Sequence, residues 1–76
     1  MTDEEAFIKN VIEKQNVKTG DPIFSNNIRK RYYNIGSPSN LDAAFDNMVK
    51  NGELKDKQGE TDYILTQKGH IAIFGY

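Results

Sequence analysis

The stretch Ser37-Pro38-Ser39-Asn40-Leu41-Asp42-Ala43-Ala44-Phe45-Asp46-Asn47-Met48-Val49-Lys50-Asn51-Gly52-Glu53-Leu54 decides how this chain folds. Leu41, Ala44, Phe45, Met48 and Val49 recur at intervals of three and four, so a helix gathers them on one apolar face. Ser37 is a residue type that caps helices. Pro38 suits a first helical position, where a missing N–H costs nothing. Asn51-Gly52 ends the pattern. The spacing predicts a helix over 37–51. Ser39, Asn40, Asp42, Ala43, Asp46, Asn47 and Lys50 fall on its other, hydrophilic face.

Downstream of Gly52 the period changes to two. Leu54 leads into a polar run, Lys55-Asp56-Lys57-Gln58-Gly59-Glu60-Thr61, and Tyr63-Ile64-Leu65 follows. This reads as a β-hairpin with its tip near Gln58-Gly59, Tyr63 and Leu65 facing one side and Ile64 the other. Thr66 can cap a last short helix to Phe74. Gly69 weakens that helix, and residues 71–74 also fit a strand.

Upstream, Arg29-Lys30-Arg31 lies in a second short helix predicted over 25–33, with Ser25 as its cap and Ile28 and Tyr32 one turn apart. Asn34-Ile35-Gly36 breaks it, and Gly36 suits a left-handed backbone. Ile23-Phe24 can form a very short strand, and Thr19-Gly20-Asp21-Pro22 is a turn by composition. A first helix starts at Thr2 or Asp3. Asp3, Glu4 and Glu5 place negative charge at the positive end of its dipole. Phe7, Ile8, Val11 and Ile12 form its buried stripe, with Lys9, Glu13 and Lys14 off it, and it ends near Asn16. Phe7, Val11, Ile28, Leu41, Phe45, Met48, Leu54 and Leu65 are the expected shared core.

Seventy-six residues suffice for a single domain spanning 1–76, near the lower limit for a core without staples. With no cysteine and one histidine, disulfides and thiolate metal sites are excluded and a His-based site is disfavoured. Hydrophobic content of 37% and eight aromatics support a folded domain rather than a disordered chain. No apolar run is long enough to span a membrane. The acidic start lacks the basic region of a signal peptide, so a cytoplasmic protein is expected. A net charge of −1 excludes polyanion binding by bulk charge. Positive charge is instead local. Residues 17–36 carry Lys18, Arg29, Lys30 and Arg31 against Asp21 alone, whereas residues 1–16 have two more acids than bases. The Arg29-Lys30-Arg31 triplet is either a solvated helix face or a phosphate contact.

Helix, short strand, helix, helix, hairpin is an order that resembles the winged helix-turn-helix family. Met48-Val49-Lys50-Asn51-Gly52-Glu53-Leu54 is similar to that family's exit from recognition helix to wing. Tyr63-Ile64-Leu65-Thr66-Gln67-Lys68-Gly69 is similar to its "Y-x-L-T-x-x-G" segment. The resemblance covers roughly residues 5–74. It implies an α+β domain, a three-helix core with a C-terminal β-hairpin wing, and double-stranded DNA as ligand. It places the third helix in the major groove, with Ser37, Ser39, Asn40, Ala43 and Asn47 on bases or phosphates. Arg29, Lys30 and Arg31 fall on phosphates, with Lys50 near the helix end and Lys55, Lys57 and Gln58 in the wing. A small bacterial, archaeal or viral transcriptional regulator, or a viral or plasmid accessory factor, fits that size, with the host cytoplasm as its compartment if viral.

One departure from the family pattern matters. Asp42 and Asp46 sit on the presumed reading face, and Lys50 is four residues from Asp46, placed to pair with it. Asp56, Glu60 and Asp62 add negative charge to the wing. An acidic third helix also suits a protein-interaction module, the alternative reading. No enzyme is expected. The chain lacks a cysteine nucleophile and a phosphate loop. Its only imidazole is His70, and Ser25, Ser37 and Ser39 read as caps. No cofactor or metal site is implied. Ile71, Ile73, Phe74 and Tyr76 either cover the core beside the first helix or form the seam of a homodimer.

Overall fold

The structure, a computed structural model, describes residues 3–37, 39–56 and 62–76. Within them the order is α1 (Asp3–Lys14), β1 (Pro22–Ile23), α2 (Ser25–Tyr32), α3 (Asn40–Lys50), β2 (Leu54–Asp56), β3 (Tyr63–Leu65) and α4 (Gln67–Phe74). This is a small α+β domain whose three strands form one antiparallel sheet, β3 lying between β1 and β2. Thr2, Pro38, Lys57 and the hairpin tip at Gln58-Gly59, on which several expectations rest, lie outside the described residues.

Both long helices end in the same way. Asn16 (φ 52°) and Gly52 (φ 78°) take the left-handed backbone that follows a helix. At each end two chain-reversing bonds satisfy carbonyls that the helix cannot. Val17 donates to Ile12 and Asn16 to Glu13 after α1; Glu53 donates to Met48 and Gly52 to Val49 after α3. Strand β2 therefore begins at a fixed angle. Leu54 faces Leu65 across the sheet and both are buried, while Tyr63 pairs with Ile23 on one side and Asp56 on the other.

The core is Ile8, Val11 and Ile12 of α1, Ile28 and Tyr32 of α2, Leu41, Ala44, Phe45 and Met48 of α3, and Ile23, Leu54 and Leu65 of the sheet. Phe7, expected among them, is only half-buried and meets Tyr32 edge-on at 5.0 Å. Tyr63 stacks on Phe45 with centroids 4.7 Å apart. Tyr63 and Leu65 thus share the sheet's inner face, as the period-two reading requires.

Several local expectations are corrected. Helix α3 starts at Asn40, three residues later than the spacing suggests. Ser39, not Ser37, holds the cap position, without a side-chain cap bond, and its hydroxyl is bonded to that of Ser37 at 2.8 Å. Ser25 is the first residue of α2 rather than its cap; Phe24 holds the cap position, and Ser25 is fully buried. Gly36 does not adopt a left-handed backbone. It is small because a Cβ there would press on the Tyr32 ring at 3.0 Å. Lys9 lies off the buried stripe as expected, and its ammonium pairs with buried Glu53 at 3.4 Å, tying α1 to the exit of α3.

Residues 67–74 are helical, which removes the strand alternative for 71–74. Thr66 caps α4 by accepting from the Gly69 N–H at 3.0 Å. Its hydroxyl in turn shares its single proton between the carbonyls of Gly52 at 2.6 Å and Glu53 at 2.9 Å. Gly69, which lowers intrinsic helix propensity, is required here by close approach. A Cβ on it would lie 2.0 Å from the Glu53 carbonyl oxygen. A Gly69→Ala variant should therefore lose at least about 2 kcal/mol of unfolding free energy, although alanine is the better helix former by about 1 kcal/mol. Urea denaturation followed by circular dichroism measures this, and unchanged stability would contradict the close contact.

Candidate nucleic-acid interface

The core residues of α3 leave one ridge of that helix pointing away from the domain. With 3.6 residues per turn, Ser39, Ala43, Asp46 and Lys50 fall on the ridge opposite Leu41, Ala44, Phe45 and Met48. All four ridge residues are exposed. Asn40 and Asn47 flank the ridge on the α1 side and Asp42 flanks it on the α2 side. The structure thus brings Ser39, Asn40, Ala43, Asn47 and Lys50 together on one accessible surface. Ser37 is exposed just before it.

A shallow cleft of about 270 Å³ runs along the α1 edge of this face, lined by Glu4, Ser39, Asn40, Ala43, Ala44 and Asn47. Its low floor comes from the two alanines. Glu4 had no place in the sequence-derived site, since nothing in the residue pattern signals that the start of α1 abuts α3. Glu4 also accepts a long bond from the Tyr32 hydroxyl at 3.5 Å.

The three basic residues of α2 divide. Lys30 and Arg31 are exposed. Arg29 is committed inward: its guanidinium pairs with Asp42 at 2.5 Å and lies 5.8 Å from the Phe45 ring centroid. Its Nε is buried with no hydrogen-bond partner. Arg29 therefore neutralises one of the two carboxylates of α3 and braces α2 against α3. No ion pair joins Asp46 to Lys50 among the described residues, contrary to the spacing argument; the ammonium and carboxylate are both exposed. Lys55 and Asp56 are exposed on β2.

Electrostatics on the sheet side of α3 are acidic. The Tyr63 phenol is pushed above its ordinary range first by burial, then by the Asp46 and Asp56 carboxylates. Arg29 opposes this and Asp42 adds to it. Burial and then the Glu4 carboxylate raise Tyr32 in the same direction. Elsewhere, a second cleft of about 280 Å³ between α1 and α4 is lined by Ala6, Lys9, Asn10, Glu13, Ala72 and Ile73 and holds none of the predicted site residues. Near the end of α4 a His70 ring nitrogen bonds the Tyr76 carbonyl, and the imidazole stacks on Phe74 at 4.5 Å. Among the described residues there is no group of three or more metal-ligating side chains. Nor is any helix among them long and apolar enough to cross a membrane.

No family model matches the chain, and no curated protein or solved structure matches it either.

Two outcomes follow from this geometry. Arg29→Ala should cost about 1–2 kcal/mol, combining a part-exposed ion pair with a cation–π contact, and lower Tm by several degrees in a calorimetric scan. A residue serving phosphates alone would leave Tm unchanged. The raised phenol values carry a definite sign. The folded state holds these protons more tightly than the unfolded chain, so their contribution is intact below the ordinary tyrosine value of about 10 and is lost as pH rises through the folded values. Stability should fall above about pH 10, and a Tyr32→Phe, Tyr63→Phe double variant should show a shallower fall in urea midpoint across that range.

Proposed function

We propose that this chain is a winged-helix DNA-binding domain of the small-regulator kind, a binding module rather than a catalyst. Helix α3 enters the major groove, α2 lies along the phosphate backbone, and the β2–β3 hairpin acts as the wing. The order α1-β1-α2-α3-β2-β3, with β1 closing the sheet beside β3, supports this reading. The observation that carries it is the outer surface of α3. Ser39, Ala43, Asn40 and Asn47 are all exposed, short and uncharged, so base edges can come close to the helix, and the two amides can pair with adenine. Lys30, Arg31, Lys50 and Lys55 are exposed cations available for phosphates.

A homodimer would double that cation supply and fits the same reading. Ile73 and Phe74 pack against the domain's own core, but Ile71 and Tyr76 remain 48% and 77% exposed at the end of α4. A second reading, a module that binds a protein partner through α3 and the wing, is favoured by one specific feature. Carboxylates stand on and beside the reading face, with Glu4 in the α1 cleft, Asp46 on the ridge itself and Asp56 toward the sheet.

Fluorescence anisotropy with a mixed-sequence duplex separates the two. The DNA reading predicts binding that weakens with salt, with a log–log slope of about −3 to −4 per chain from four phosphate contacts. Replacing Lys30 and Arg31 together by alanine should reduce that slope by about two, uniformly across sequences. Replacing Asn40 and Asn47 should relax sequence preference instead. Absence of binding at about 50 mM salt would refute the DNA reading and favour the protein partner.

A further inference from the structure

Two carboxylates lie on α3, and the structure treats them differently. Asp42 is turned to the α2 side and is held by the Arg29 guanidinium at 2.5 Å. Asp46, one turn later, is exposed and has no cation within ion-pair distance among the described residues. Its position is as distinctive as its lack of a partner. It shares the outermost ridge with Ser39, Ala43 and Lys50, opposite the core side chains Leu41, Ala44, Phe45 and Met48. Between Ala43 and Asp46 the ridge has no bulky side chain that would hold a partner away.

A helix lying in a major groove presents its outermost ridge and the short side chains beside it to the base edges, while its outer flanks and the long cations near its ends reach the two phosphate walls. On the flanks a lone carboxylate is repelled. On the ridge it meets base edges, where donors are available. The exocyclic N4 amino group of cytosine is the donor that a carboxylate matches in that groove. Guanine offers O6 and N7 and thymine O4, all of them acceptors that would face the carboxylate unfavourably. Adenine offers N6 but sets the N7 acceptor beside it.

We infer that Asp46 is a specificity-determining residue that accepts a hydrogen bond from cytosine N4 in the bound duplex. The inference rests on the DNA reading of α3 and names the base that one position of that surface selects. The same carboxylate works against wrong sequences. Where no amino donor faces it, it remains a desolvated negative charge beside acceptors, which weakens binding to non-cognate duplex. Asp42 serves no such role, because its charge is already met within the protein.

Selection from a randomised duplex pool, run in parallel with the wild-type chain, Asp46→Ala and Asp46→Asn, tests this. Thermal melts of the variants serve as the folding control, and the exposure of Asp46 predicts melts like wild type. The expected wild-type motif has cytosine at a position that both variants cease to enrich while the other positions persist. Discrimination for cytosine at that position should drop roughly fivefold to a hundredfold in competition binding. Asp46→Ala should also bind non-cognate duplex more tightly than wild type. An identical motif from all three proteins would overturn the role of Asp46 while leaving the DNA reading standing. No enrichment by the wild-type chain, together with no affinity for mixed duplex at low salt, would overturn the DNA reading itself and this role with it.

Discussion

The hydroxyl of Thr66 is the point on which the arrangement of this domain depends. It shares its single proton between the carbonyls of Gly52 and Glu53, which leave α3, and accepts from Gly69, in the first turn of α4. One side chain thus fastens the end of α3, the end of β3 and the start of α4 into a single junction. The junction closes only because Gly69 lacks a Cβ and Gly52 takes a left-handed backbone. Lys9 reaches the same place from α1 through its pair with Glu53. Four elements are held by a few polar contacts around the carbonyls of Gly52 and Glu53, just past the end of α3, the Glu53 carbonyl accepting from the Thr66 N–H as well.

A consequence for function follows directly. With its C-terminal end clamped and its apolar face covered by α1, α2 and the sheet, α3 has one ridge left over. The Arg29–Asp42 pair fixes the remaining flank against α2. What faces outward is small and polar near the N-terminal end, mixed in charge at Asp46 and Lys50, and flanked by carboxylates. Such a surface binds a polyanion weakly unless individual contacts are well matched. On the proposed DNA reading, its chemistry favours selective recognition over charge-driven adhesion.

Much of the fold was legible in the chain. Periodicity located the buried faces of α1 and α3, Gly52 marked the exit from α3, and the switch to period two revealed β2 and β3. Thr66 was recognisable as a cap. What escaped was every feature set by contact between distant residues. Gly69 counts against a helix when judged by propensity, yet tertiary contact with Glu53 demands it. Gly36 looked like a backbone residue and proved to be a space-making one beside Tyr32. Ser37 and Ser25 have capping chemistry, but Ser39 and Phe24 hold the N-cap positions of α3 and α2. At the site, exposure of Ser39, Asn40, Ala43, Asn47 and Lys50 followed from the helical wheel alone. Arg29 belonged to an obvious basic run, and only its place beside Asp42 and Phe45 separates it from Lys30 and Arg31. The approach of Glu4 to α3 has no local signal at all.

The most direct measurement is a two-dimensional amide NMR titration of the labelled chain with a short mixed-sequence duplex in low-salt buffer. If the outer ridge of α3 is the binding surface, resonances of Ser39, Asn40, Ala43, Asn47 and Lys50 shift together with those of Lys30 and Arg31, while Ala72 and Ile73 on α4 stay in place. Shifts confined to the α1–α4 side, or a spectrum indifferent to duplex, would contradict it.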